Sequence, residues 1–118
     1  MRFLSALAAM AVLLAAAPAF AGDPVGDYTI EGTNPGGGGS YTGTVQIRKT
    51  GDTYSVIWVV GGTRYSGTGI GNEEFMAVSY RSGNNTGLAL YGEDGENWKG
   101  IWTYAGGKQV GAEHWTRQ

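Results

Sequence analysis

The stretch Ser40-Tyr41-Thr42-Gly43-Thr44-Val45-Gln46-Ile47-Arg48-Lys49-Thr50-Gly51-Asp52-Thr53-Tyr54-Ser55-Val56-Ile57-Trp58-Val59-Val60-Gly61-Gly62-Thr63 decides the fold. Tyr41, Gly43, Val45 and Ile47 alternate with Thr42, Thr44, Gln46 and Arg48, a period of two that puts one face of a strand in a core and the other in water. Thr50-Gly51-Asp52 then interrupts the pattern. A second run, Thr53 to Val60, places Tyr54, Val56, Trp58 and Val60 on one side, and Ile57 and Val59 make its other side apolar too. That second side is expected to be covered, by the N-terminal segment or by a partner. Gly61-Gly62 follows, and a two-residue glycine loop between β-rich runs is a strong hairpin signal.

Outward from this hairpin the same grammar repeats. Strands are predicted over Asp27–Gly32, Ser40–Lys49, Thr53–Val60, Thr63–Ile70, Glu74–Arg81, Thr86–Gly92, Asn97–Tyr104 and Gln109–Thr116, each bounded by Gly, Asn or Asp. No helical stripe of useful length interrupts them. The short connections force antiparallel neighbours, since a parallel crossover needs a dozen or more residues. Thr33 to Gly39, with its four consecutive glycines, is the exception and is expected to be flexible and exposed. The predicted fold is all-β: an antiparallel up-and-down meander of about eight strands, closed or nearly closed into a small barrel, after an N-terminal signal helix.

The chain has 118 residues, of which 22 are Gly, 4 Trp and 7 Tyr, with no Cys and a formal net charge of −2. Residues 1–21 read as a secretory signal peptide: Arg2 supplies a positive start, Leu4 to Ala17 an apolar run, and Ala19-Phe20-Ala21 a small-x-small cleavage site. Residues 22–118 form the single all-β domain, periplasmic or secreted, with no transmembrane anchor left after cleavage. All the glycines lie in that domain. Its acidic balance and the lack of a basic run argue against nucleic acid as a partner. Leu, Ile, Val and Phe are sparse there, and the aromatic rings take over the burial, on the order of 150 to 250 Å² each.

Aromatic and glycine residues also recur together. Gly39-Ser40-Tyr41-Thr42-Gly43-Thr44-Val45 is echoed by Thr63-Arg64-Tyr65-Ser66-Gly67-Thr68-Gly69 and, more faintly, by Asn97-Trp98-Lys99-Gly100-Ile101-Trp102. In each unit the ring and the glycine share a strand face, so a ring can lie over its own strand's glycine or a neighbour's.

The residues that could carry chemistry are few. His114 is the sole histidine, and Glu113 beside it points to the opposite strand face, so the two form no dyad. Alternation with Ala112 and Val110 reads as a packed or rim histidine. A single His without Cys makes no ordinary zinc or transition-metal site, and no cofactor is implied. Glu73-Glu74 and Glu93-Asp94-Gly95-Glu96 fall at turns and lack the ligand spacing of a calcium loop. Gly67-x-Gly69-x-Gly71 precedes no helix and makes no phosphate cradle. Asn84-Asn85-Thr86 matches a glycosylation acceptor but reads as a turn. What remains is the aromatic set Trp58, Tyr65, Trp98, Trp102 and Tyr104, which either forms the core or lines a pocket for a small ligand.

The order of motifs from Tyr28 to Arg117 resembles a group of small exported proteobacterial proteins often labelled fibronectin-binding proteins. The resemblance rests on Glu31-Gly32-Thr33-Asn34-Pro35, Tyr41-Thr42-Gly43-Thr44-Val45, Thr50-Gly51-Asp52-Thr53-Tyr54 with Trp58, and Gly61-Gly62 with Tyr65-x-Gly67-x-Gly69-Ile70. Ala77-Val78-x-Tyr80, Gly87-x-Ala89-x-Tyr91, Gly100-x-Trp102-Thr103-Tyr104-Ala105-Gly106-Gly107 and Trp115-Thr116-Arg117 complete it. It implies a non-enzymatic exported protein that engages an extracellular or envelope macromolecule, and it carries over no binding residues. A second likeness, to avidin-like and lipocalin-like barrels, rests on strand count and Trp content and implies a small apolar ligand instead.

Overall fold

The computed structural model describes residues 23–118, so the expected signal segment and its helix lie outside the described residues. Eight strands follow in order: β1 (Gly26–Thr33), β2 (Ser40–Thr50), β3 (Thr53–Val60), β4 (Thr63–Gly71), β5 (Phe75–Ser82), β6 (Asn85–Asp94), β7 (Asn97–Tyr104) and β8 (Gly111–Arg117). Each strand pairs antiparallel with the next, and β8 returns to pair with β1 through Ile30↔Trp115 and Gly32↔Glu113. The meander is therefore a closed barrel, with no free sheet edge.

Local chemistry sets the register. The β3–β4 hairpin turns on Gly61 (φ 56°) and Gly62 (φ 81°), both left-handed, a turn whose twist matches that of the flanking strands. Between β1 and β2 the glycine-rich loop is tied across its base. The Asn34 backbone N–H donates to the Gly39 carbonyl (2.9 Å), its side-chain amide to Gly38 (3.2 Å), and Pro35–Gly37 forms a 3-10 turn. At the start of β5 the Asn72 side-chain oxygen accepts from the Glu74 and Phe75 N–H groups, which delays the strand to Phe75. The last strand begins at Gly111, two residues later than expected. Ahead of it the Gln109 carbonyl accepts from the Thr103 hydroxyl (2.8 Å) and is spent on the return loop.

The interior is apolar and aromatic. Tyr28, Ile30, Val45, Ile47, Tyr54, Val56, Met76, Val78, Ala89, Tyr91, Trp98 and Trp115 are buried inside, while Thr29, Thr42, Thr44, Thr68, Thr86 and Thr116 face outward and are exposed. The rings cover glycines, but across strands rather than along them. Tyr41 lies over Gly32, Tyr80 over Gly87, Tyr91 over Gly100 and Trp102 over Gly111, each being the directly opposed residue on the adjacent strand. Each missing side chain in the wall lets a ring rest against backbone. An eight-stranded barrel is just wide enough for side chains to fill it or to hold one small ligand, and rings set back against the wall shift that balance toward an open lumen.

The two ends differ. At the end where β1 starts and β8 finishes, Asp23, Pro24 and Val25 cross the opening. The Arg117 guanidinium donates to the Asp23 carbonyl (2.6 Å) and the Val25 carbonyl (2.9 Å), lies 4.8 Å over the Tyr28 ring, and Tyr28 donates to the Pro24 carbonyl (2.7 Å). Below this strap the Tyr28 and Trp115 rings pack at 5.6 Å and the Tyr91 and Trp115 rings at 4.1 Å, so this half is solid core. The N-terminal residues thus close a barrel end instead of covering the outer side of β3, where Val59 is 44% exposed. Other apolar residues also face out. Ile70, Ala77, Leu90, Ile101 and Ala112 oppose one another in sequence across β4 to β8 and make a transverse apolar row.

Candidate ligand-binding site

Toward the other end the lumen opens into a cavity of about 380 Å³. Its walls are Tyr41, Trp58, Tyr65, Tyr80, Tyr91 and Trp102, its rim Asn34, Val60, Asn85 and Tyr104, and Glu113 stands at its floor. The rim residues sit at the four connections of this end, so the mouth is built from the β1–β2, β3–β4, β5–β6 and β7–β8 links.

Glu113 is the buried charged side chain among the described residues, 8% exposed. Alternation in β8 explains its position: Gly111, Glu113 and Trp115 point inward, while Ala112, His114 and Thr116 point out. Four donors converge on it. Tyr91 Oη (2.7 Å), Trp115 Nε1 (3.0 Å) and Trp58 Nε1 (3.2 Å) donate to Oε1, and Tyr41 Oη donates to Oε2 (2.5 Å). An acceptor-only group ringed by hydroxyl and indole donors suits a carboxylate. Among the described residues the lining contains no Lys, Arg or His to compensate it.

The phenols are held in their donor form. Burial, then the nearby Glu113 charge, raises the pKa of Tyr41 and of Tyr91 well above the ordinary tyrosine value. Burial, reinforced by Tyr104 and Glu113, pushes Tyr80 up to about 12, and burial at the closed end does the same to Tyr28. A folded-state pKa near 12 against 10 in the unfolded chain means that these groups favour folding fully below about pH 10 and cease to do so as pH climbs through about 12. The denaturation midpoint is therefore expected to fall between pH 10 and 12, together with the appearance of tyrosinate absorbance. A midpoint that holds steady to pH 12 would contradict the buried placement of these rings.

Edge-to-face contacts fix the wall. The ring centroids of Tyr41 and Trp102 are 6.2 Å apart, Trp102 and Tyr80 6.3 Å, Tyr80 and Trp58 5.7 Å, Tyr80 and Tyr65 6.3 Å, and Trp102 and Tyr104 5.1 Å. Such pairs add about 0.5 to 1.5 kcal/mol each beyond the area they bury, so the cage is preformed. Trp102 Nε1 is buried near the Tyr41 hydroxyl without reaching hydrogen-bond geometry, and it has no partner among the described residues.

Of the five residues singled out from sequence, the structure brings Trp58, Tyr65, Trp102 and Tyr104 to the cavity. Trp98 is not there. It is the second residue of β7, opposite Trp115, fully buried in the solid half. Sequence reasoning missed Tyr41, Tyr80, Tyr91 and Glu113. For Glu113 a signal is present in the sequence, since period-two alternation puts it on the same strand face as Trp115. His114 faces outward and half-exposed, 3.5 Å from Asp94, so the two side chains of Glu113 and His114 diverge. It is neither packed inside nor at the rim.

A scan against family models gives no match and a search of curated proteins gives none either, so the functional reading rests on the geometry of the cavity itself.

Proposed function

We propose that this protein is an exported small-ligand-binding β-barrel, a preformed cup that holds a compact molecule against its aromatic walls. The observation that carries this reading is the cavity of about 380 Å³ at one end of an otherwise solid barrel. A core alone would fill that space, because voids larger than a water molecule are few in a well-packed interior. Polar groups of fixed orientation on a largely apolar wall are also what small-molecule sites present.

The apolar row Ile70, Leu90 and Ile101 supports a second reading, engagement of an extracellular or envelope macromolecule through the outer face, since these side chains are 60%, 50% and 47% exposed. One comparison separates the two. Native mass spectrometry of protein purified from its producing cells, combined with Trp fluorescence titration, is expected to show a bound small molecule or a saturable change from Trp58 and Trp102. An empty protein whose Trp emission responds to no small molecule, but which binds immobilised fibronectin saturably, would reverse the choice.

A further inference from the structure

The charge pattern of the cavity narrows the ligand class. Glu113 is the only charged side chain in the lining, and its compensation comes from neutral dipoles alone. Its two oxygens are used unequally: Oε1 takes three donors and Oε2 takes one. A carboxylate oxygen offers about two acceptor positions, so Oε2 retains an open one while Oε1 is saturated. Around it stand the rings of Tyr65, Tyr80, Trp58 and Trp102, whose π faces attract cations, and an array of such rings is a known solution for quaternary ammonium groups.

On this basis we propose that the cup selects an organic cation of the alkylated-ammonium class, seated among Trp58, Tyr65, Tyr80 and Trp102 above the Glu113 carboxylate. The inference rests on the small-ligand reading of the barrel. A neutral apolar ligand would cover the carboxylate and strip its remaining hydration without return, and an anion would meet it at short range in a lumen of low dielectric. A cation gains from both the carboxylate and the rings. Alkylation of the nitrogen favours the rings further, because a weakly hydrated cation gives up less on entering.

Choline and 3,3-dimethyl-1-butanol test this, being alike in shape and differing in the charged nitrogen. Calorimetric titration of the whole protein is expected to show choline binding at least tenfold more tightly than the alcohol, roughly the gain of a desolvated cation–π contact. Replacing Tyr65, whose hydroxyl makes none of the hydrogen bonds to Glu113, by Leu should weaken choline several-fold and the uncharged alcohol by less, so that the preference for choline narrows. Equal affinity for choline and the alcohol, or binding of the alcohol alone, overturns the cation assignment and leaves the cup standing. Binding of neither overturns both.

Discussion

Replacing Glu113 by Leu is expected to lower the melting temperature by at least about 12 °C, and replacing it by Gln by roughly a third of that. Leucine removes the acceptor of four buried donors, Tyr41, Tyr91, Trp58 and Trp115, and an orphaned buried donor costs about 1 to 3 kcal/mol. The phenols of Tyr41 and Tyr91 can turn toward cavity water, but the indole N–H groups of Trp58 and Trp115 are fixed by ring packing. A loss of about 3 to 5 kcal/mol is the result, and in a domain of this size about 1 kcal/mol shifts the midpoint by roughly 4 to 8 °C. Glutamine behaves differently. Its carbonyl can occupy the Oε1 position and keep three donors, while its amide donates to the Tyr41 oxygen, so the loss is that of charge assistance. Replacing a whole buried polar cluster by apolar groups can be neutral, whereas removing one partner is not. A Leu variant that melts with the parent protein would show that the four hydrogen bonds contribute nothing net.

The second large effect is expected at Gly100. A β-carbon there would run into the Leu90 carbonyl oxygen and the Tyr91 ring. The carbonyl belongs to the paired strand β6 and has nowhere to retreat, so even Gly100→Ala should cost about 1 to 3 kcal/mol, with Gly100→Val at the upper end or beyond. The damage also reaches the cavity, because the displaced ring is one whose hydroxyl donates to Glu113. Gly92, in β6 and directly opposite the neighbour of Gly100, is the control. A β-carbon on it would meet nothing nearer than the Glu74 carbonyl at 4.0 Å. Gly92→Ala should therefore be neutral or stabilise by a few tenths of a kcal/mol through the unfolded chain. Equal losses at the two positions would mean that glycine is needed for backbone freedom and not for ring clearance.

These two sites also show where the sequence is readable and where it is not. The strands of the first hairpin are legible to the residue or nearly so, because period-two alternation and the Gly61-Gly62 turn are local signals. Strand number and short loops make legible a meander that closes or nearly closes, and the pairing of β8 with β1 that completes the barrel comes from the structure. Cross-strand partnership is different: Tyr91 over Gly100 depends on the registers of β6 and β7, which no single segment encodes. The units Tyr41-x-Gly43 and Trp98-x-Gly100 point at the right residue types and leave open whether a ring covers its own strand's glycine or a neighbour's; the structure takes the second course, since Gly43 faces the Val59 carbonyl and Val60, and Gly100 faces Tyr91. Trp98 and Trp102 illustrate the same limit within the candidate site. They share a face of β7, four residues apart, yet one is sealed in the core and the other lines the cavity. Depth along the barrel axis separates them, and depth follows from which end the N-terminal strap closes.

That strap has a consequence for how the protein can change. An even number of antiparallel strands brings Asp23 and Gln118 to the same pole, and Arg117 locks that pole shut, so the whole demand for a stable core falls on one half of the molecule. The other half ends in four hairpin and loop connections, and among the described residues the side chains of the rim residues Asn34, Val60, Asn85 and Tyr104 make no hydrogen bond to Glu113 or its four donors. Loop substitutions there can reshape the mouth of the cavity while the sealed pole keeps the fold, and a label at Gln118 leaves that mouth unobstructed.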